Sequence, residues 1–86
     1  MNQDIIVGDE VYWQPEQQRL AFSAHWQGRQ VPCFITQHRL EHLAGQQLPD
    51  EASAILAFEQ VRFDIEELVC ERIEEEAFAP DGSISL

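Results

Sequence analysis

Apolar positions along this chain repeat with two different periods. From Glu51 to Glu76, counting about 100° per residue puts Ala54, Ile55, Phe58, Val61, Ile65, Leu68, Val69 and Ile73 within about 80° of one line, the pattern of a long amphipathic helix with one core-facing side. Asp50 stands where it can cap the first turn, Pro49 precedes it, and Glu51 meets the positive end of the helix dipole. Glu74, Glu75 and Glu76 oppose the negative end, so the helix is expected to fray or stop early there.

Upstream of residue 37 the period is two. Val11-Tyr12-Trp13 reads as a short strand closed by the polar turn Pro15-Glu16-Gln17-Gln18. Leu20, Phe22, Ala24 and Trp26 then point one way while Arg19, Ala21, Ser23 and His25 point the other. Gln27-Gly28-Arg29 reverses the chain, and Val31, Cys33 and Ile35 alternate with Pro32, Phe34 and Thr36 in a third strand. Pro32 has no N–H, so it must sit where that strand is unpaired on one side. Thr36 can cap a short helix, Gln37 to Ala44, that buries Leu40, Leu43 and Ala44 and ends at Gly45. Gln46-Gln47-Leu48-Pro49 links the two helices, Pro80-Asp81-Gly82 is a turn, and Ser83 to Leu86 alternates like a final strand.

The fold class expected is therefore α+β, in a single domain over residues 1–86. It comprises an antiparallel β-meander of three strands, a fourth following at the C-terminus, with one short and one long helix packed on one face.

Leu56, Phe63 and Cys70 do not fit the main helical stripe. They recur every seven residues on the opposite side, where water-facing positions are normally polar. Either a neighbouring segment covers them or they form a subunit contact. Helix length bears on the choice: 26 residues span about 39 Å, whereas a compact chain of this size, with a radius of gyration near 12 Å, is only about 30 Å wide. Part of such a helix must project or be covered.

Composition narrows the function classes. With 86 residues and 44% apolar content, the chain can form one small core without metal or disulfide support. Sixteen acids against five arginines give a net charge of -11, which opposes binding to nucleic acid or to an anionic membrane. The N-terminal Met1-Asn2-Gln3-Asp4 carries no positive charge cluster, and Ile5-Ile6-Val7 is too short for a signal or membrane segment, so a cytoplasmic location is expected. Two cysteines, Cys33 and Cys70, fit free thiols in a reducing compartment.

One set of residues carries a family resemblance. Phe22, Ala24, Gly28, Val31 and Cys33 read F-x-A-x-x-x-G-x-x-V-x-C, Leu40 follows, and Phe58, Arg62, Ile65 and Glu66 read F-x-x-x-R-x-x-I-E, with Trp13 upstream and Asp81-Gly82 near the end. In this the chain resembles, over nearly its whole length, the bacterial family known as domain of unknown function 1488. The resemblance implies a small α+β fold in a bacterial cytoplasm and carries over no activity, cofactor or catalytic residue.

Three stretches of the chain carry residue types with chemical potential. His38-Arg39-Leu40-Glu41-His42 matches H-x-x-E-H, the zinc motif of inverzincin peptidases. A helix of about two turns with both histidines opposite Leu40 favours solvent-facing histidines instead. Cys33 shares a strand face with Val31 and Ile35, which favours a buried structural thiol over a nucleophile. Arg62 falls at the edge of the apolar stripe with Glu59 and Glu66 at i−3 and i+4, an ion-pair site first and an anion-binding site second.

The function expected is a non-enzymatic protein–protein interaction module whose partner is itself, as a homodimer through Leu56, Phe63 and Cys70, or another protein. No cofactor and no small-molecule substrate are expected. An acidic surface that binds a basic partner or mimics nucleic acid is the alternative. A small metal- or thiol-dependent enzyme using His38, Glu41, His42 or Cys33 ranks last.

Overall fold

A computed structural model describes residues 5–86; the first four positions, which entered the localisation reading, lie outside the described residues. The strands are β1 (Ile5–Val7), β2 (Tyr12–Gln14), β3 (Arg19–Trp26), β4 (Arg29–Thr36) and β5 (Ile84–Ser85), and the helices are α1 (Gln37–Ala44), α2 (Glu51–Gln60) and α3 (Arg62–Glu74). β3 and β4 form the central hairpin. Its two-residue turn places Gln27 and Gly28 at φ of 53° and 79°, the left-handed pair that matches the twist of the flanking strands.

β1 and β2 both pair antiparallel with β3 along the same edge, Val7 opposite Ala24 and Tyr12 opposite Ala21. Four residues, Gly8 to Val11, therefore pass only two, Phe22 and Ser23. The N-terminal strand is thus a single edge strand interrupted by a bulge, and the sequence reading located only its second half. β5 adds to the far side of β4, and it does so in parallel, so the sheet is mixed and not a purely antiparallel meander.

Pro32 lies opposite Ser23, three positions along from the Arg29–Trp26 pair that closes the hairpin. Alternation of bonded and non-bonded pairs turns its nitrogen away from β3, and β5 reaches only Cys33 and Phe34. The missing N–H consequently faces an open stretch of edge, as the sequence required.

Leu20, Phe22, Ala24, Val31, Cys33 and Ile35 form the buried side of the sheet, and Leu40, Ala54, Ala57, Phe58, Ile65, Val69 and Ile73 come down on it from the helices, with Leu48 from the linker between α1 and α2. Phe22 and Phe58 meet edge to face at 4.9 Å, joining the layers near their centre. Thr36 caps α1 through its hydroxyl, which accepts the Arg39 N–H, and Gly45 ends it in the left-handed conformation at φ 70°. Asp50 caps α2 in a reciprocal box with Ser53. The linker residue Leu48 is a core plug: Glu41 accepts its N–H at 2.9 Å and the Gln37 amide donates to its carbonyl.

The long helix read from Glu51 to Glu76 is two helices that share Val61 as a junction, at φ −108° and ψ 22°. Backbone bonding continues across it, from Val61 N to Ala57 O and from Ile65 N to Val61 O, so the junction is a bend. It lets the buried faces of α2 and α3 both reach a twisted sheet. This corrects the length argument. Ten and thirteen residues span about 15 and 20 Å, and the domain measures 35 × 25 × 20 Å, so neither helix must project. α3 ends at Glu74 and Glu76 turns to φ 57°, where the run of acids against the negative pole was expected to stop it.

Candidate functional site

Three surfaces carry the residues of interest. On the outer side of the helical layer, Leu56 is 60% exposed and Phe63 70% exposed, one on each side of the Val61 bend, while Cys70 is half-buried. The turns that hold them bury Ala54, Ala57, Phe58, Ile65 and Val69 on their other side. Burial raises the Cys70 thiol pKa, and the carboxylates of Glu74, Glu66 and Glu67 raise it further, so this thiol is a poor nucleophile.

Arg62 is the first residue of α3, and the bend aims it at the bulge of the edge strand. Its Nη2 donates to the Val7 carbonyl at 2.7 Å and the Gly8 carbonyl at 3.0 Å, and it lies 3.2 Å from Asp9, while Nε pairs with Glu66 at 3.1 Å. Of the two partners the spacing suggested, Glu66 one turn ahead forms the pair; among the described residues Glu59 forms none. Through Nη2 and Nε the guanidinium fastens the start of α3 to the bulge, where the Val7 carbonyl faces away from β3. Gly8 completes the contact: its N–H donates to Ser23 O at 2.8 Å, and a Cβ there would stand 3.3 Å from that same oxygen.

The third surface is the open face of the sheet. Tyr12 is 60% exposed and Ile6 64%. Register places Tyr12, Ala21 and Phe34 in one cross-strand row and Ile6, His25 and Gln30 in another, with Ser23 and Pro32 between them. The small side chains of Ala21 and Ser23 leave a cavity of about 350 Å³ lined by Glu10, Tyr12, Ala21, Phe22, Ser23, Gln30 and Pro32. The Tyr12 hydroxyl donates to Glu10 Oε1 at 2.9 Å, and that carboxylate raises the tyrosine pKa through the hydrogen bond first and its charge second. Beside the cavity the Arg19 guanidinium lies 3.7 Å over the Phe34 ring while its Nε donates to Gln14 Oε1 at 2.6 Å. The sequence reading missed this face. Alternation exposed Ala21 and Ser23 as adjacent small outward residues, but which walls stand beside them depends on the two-residue register shift at the bulge.

The remaining candidates separate. His38 and His42 are exposed, their rings 5.7 Å apart, and Glu41, the base of the peptidase reading, is engaged with Leu48 N–H. Among the described residues no group of three or more His, Cys, Asp or Glu could hold a metal ion. Cys33 is buried with its Sγ 3.5 Å from the Val31 carbonyl, and burial pushes its thiol pKa up to about 12. Among the described residues no helix is long and apolar enough to cross a membrane.

Among the described residues a five-stranded mixed sheet with three helices on one face and its other face open defines a small two-layer α+β domain. The chain belongs to the family described as "Protein of unknown function (DUF1488)", which matches residues 7–86. It is similar over its full length to a protein of unknown function of that family from Shewanella loihica PV-4, whose crystal structure superimposes with a TM-score of 0.90 at 41% identity, covering 94% of that chain. Comparison with curated proteins finds no match.

Proposed function

We propose that this chain is a non-enzymatic protein–protein interaction module that associates with itself through the outer side of its helical layer. The observation that carries the reading is the exposure of Leu56 and Phe63 in the two helices whose other sides form the core. Large apolar groups held rigidly on the outside of a folded layer favour a contact that removes them from water, and a twofold axis supplies each copy with the other's patch. Glu59, Glu67 and Glu74, all exposed, flank the patch, so two copies bring like charges together. Association through this surface therefore strengthens as salt rises. The same reading places the protein in a bacterial cytoplasm, which the source of its structural relative and two free thiols support.

Sedimentation equilibrium at micromolar concentration is the test. A dimer that tightens with salt and is converted to monomer by Phe63→Glu is expected. A monomer at both low and high salt, or a dimer indifferent to Phe63→Glu, overturns the reading.

A further inference from the structure

The open face of the sheet repeats one arrangement. At one end an aromatic ring, Phe34, and a side-chain oxygen, Gln14 Oε1, together hold the guanidinium of Arg19. Beside it stand another ring, Tyr12, and another side-chain oxygen, the Glu10 carboxylate, facing a cavity of about 350 Å³ over Ala21 and Ser23. Here the acceptor is a full negative charge. Its Oε1 accepts a hydrogen bond from the Tyr12 hydroxyl, and Oε2 accepts no hydrogen bond among the described residues.

We propose that this cavity docks a protein partner through one basic side chain, an arginine or lysine whose cationic head lies against the Tyr12 ring and beside the Glu10 carboxylate. The partner segment runs extended along β3. Attraction to the ring face and to the carboxylate act together on the same cation, and the net charge of -11 draws a basic segment toward the domain at long range.

The surroundings select a protein segment over a free polyamine. Arg19 lies two residues from Ala21 along β3, about 7 Å away, and repels a second positive charge at that end, while His25 occupies the other. Ile6, Pro32 and Phe34 offer apolar shoulders on both sides of the cavity, suited to uncharged residues flanking a single cation. A chain of amines has no use for such shoulders.

The test is a titration of the isotope-labelled full chain followed by amide NMR. The probes are an acetylated, amidated Ala-Val-Arg-Val-Ala peptide, its counterpart with neutral citrulline for arginine, and spermidine. Saturable shifts centred on the amides of Tyr12, Ala21, Ser23 and Gln30 are expected with the arginine peptide, weakening about tenfold with citrulline. Glu10→Gln and Tyr12→Ala, both at exposed positions, weaken the arginine peptide to a similar degree while leaving the thermal midpoint in place. Added salt weakens peptide binding, opposite to its effect on the helical dimer, and Phe63→Glu leaves the titration unchanged, so the two surfaces are tested separately. Equal binding of the citrulline peptide, shifts centred elsewhere, or no saturation at concentrations on the order of 10 mM overturns the proposal. Spermidine binding more tightly than the arginine peptide overturns the assignment to a protein segment.

Discussion

Replacing Arg62 by Ala isolates the contact between the two layers at the bulge. The side chain is 21% exposed, and its Nη2 serves two carbonyls, Val7 at 2.7 Å and Gly8 at 3.0 Å, in a strand whose pairing to β3 is interrupted. Hydrogen bonds to a charged group contribute about 1.5–3 kcal/mol each. One nitrogen shared between two carbonyls gives less than two independent bonds, and the Asp9 carboxylate, nearly fully exposed, adds little through solvent. Val7 is buried with the guanidinium in place, and its carbonyl loses a charged donor when the arginine is removed. The expected loss is about 2–4 kcal/mol, which in a domain of this size lowers the melting midpoint by roughly 10–30 °C. Urea melts of wild type, Arg62→Ala and Arg62→Lys measure it, with lysine recovering about half because one ammonium can still reach a carbonyl. Hydrogen exchange places it: the amides of Gly8 to Val11 lose protection before those of β3. A loss below about 0.5 kcal/mol, or an Asp9→Asn variant as damaged as Arg62→Ala, refutes the reasoning, because the carbonyls would then not be what the arginine holds.

Ile65→Ala removes a fully buried side chain under the sheet and is expected to cost about 2–5 kcal/mol in urea melts; a loss below about 0.5 kcal/mol would move the core face elsewhere. Cys33 has a folded pKa raised from 9.0 to about 12, so the folded state holds the proton that the unfolded state releases; stability is complete below pH 9 and falls from there toward pH 12, a decline that pH-dependent melts should show reduced in Cys33→Ala. His38 and His42 are expected to hold no stoichiometric zinc, measured by elemental analysis of untagged protein, and one zinc per chain lost in His42→Ala would reverse that reading.

Much of the fold was legible because its signals are local. Alternation from Arg19 to Thr36 comes from side chains turning over at every residue. The ends of α1 follow from the Thr36 hydroxyl and the Gly45 backbone, and the start of α2 from Asp50; each acts within one turn of its own position. The core stripe also held, with Ala54, Phe58, Ile65, Val69 and Ile73 all buried.

What only the tertiary structure decided has a different physical origin. Val61 is neither proline nor glycine, and no side chain caps α3 there. The bend forms because two helical faces must reach one twisted sheet, a requirement that exists only once the layers meet. Leu48 reads as a linker residue until Glu41 and Gln37 satisfy its backbone and let its side chain into the core. Ile5–Val7 lacks the length to announce a strand and becomes one by pairing with a β3 edge that β2 only partly fills. The direction of β5 depends on the path of the chain past Phe78, which stacks on Trp26, and not on the pattern Ser83 to Leu86. Residues 55 apart, Val7 and Arg62, meet at the bulge. The cavity beside Glu10 exists only because that bulge shifts Tyr12 into register with Ala21. Periodicity determines which side of an element is buried, whereas register and long-range pairing determine which surfaces are left to bind something else.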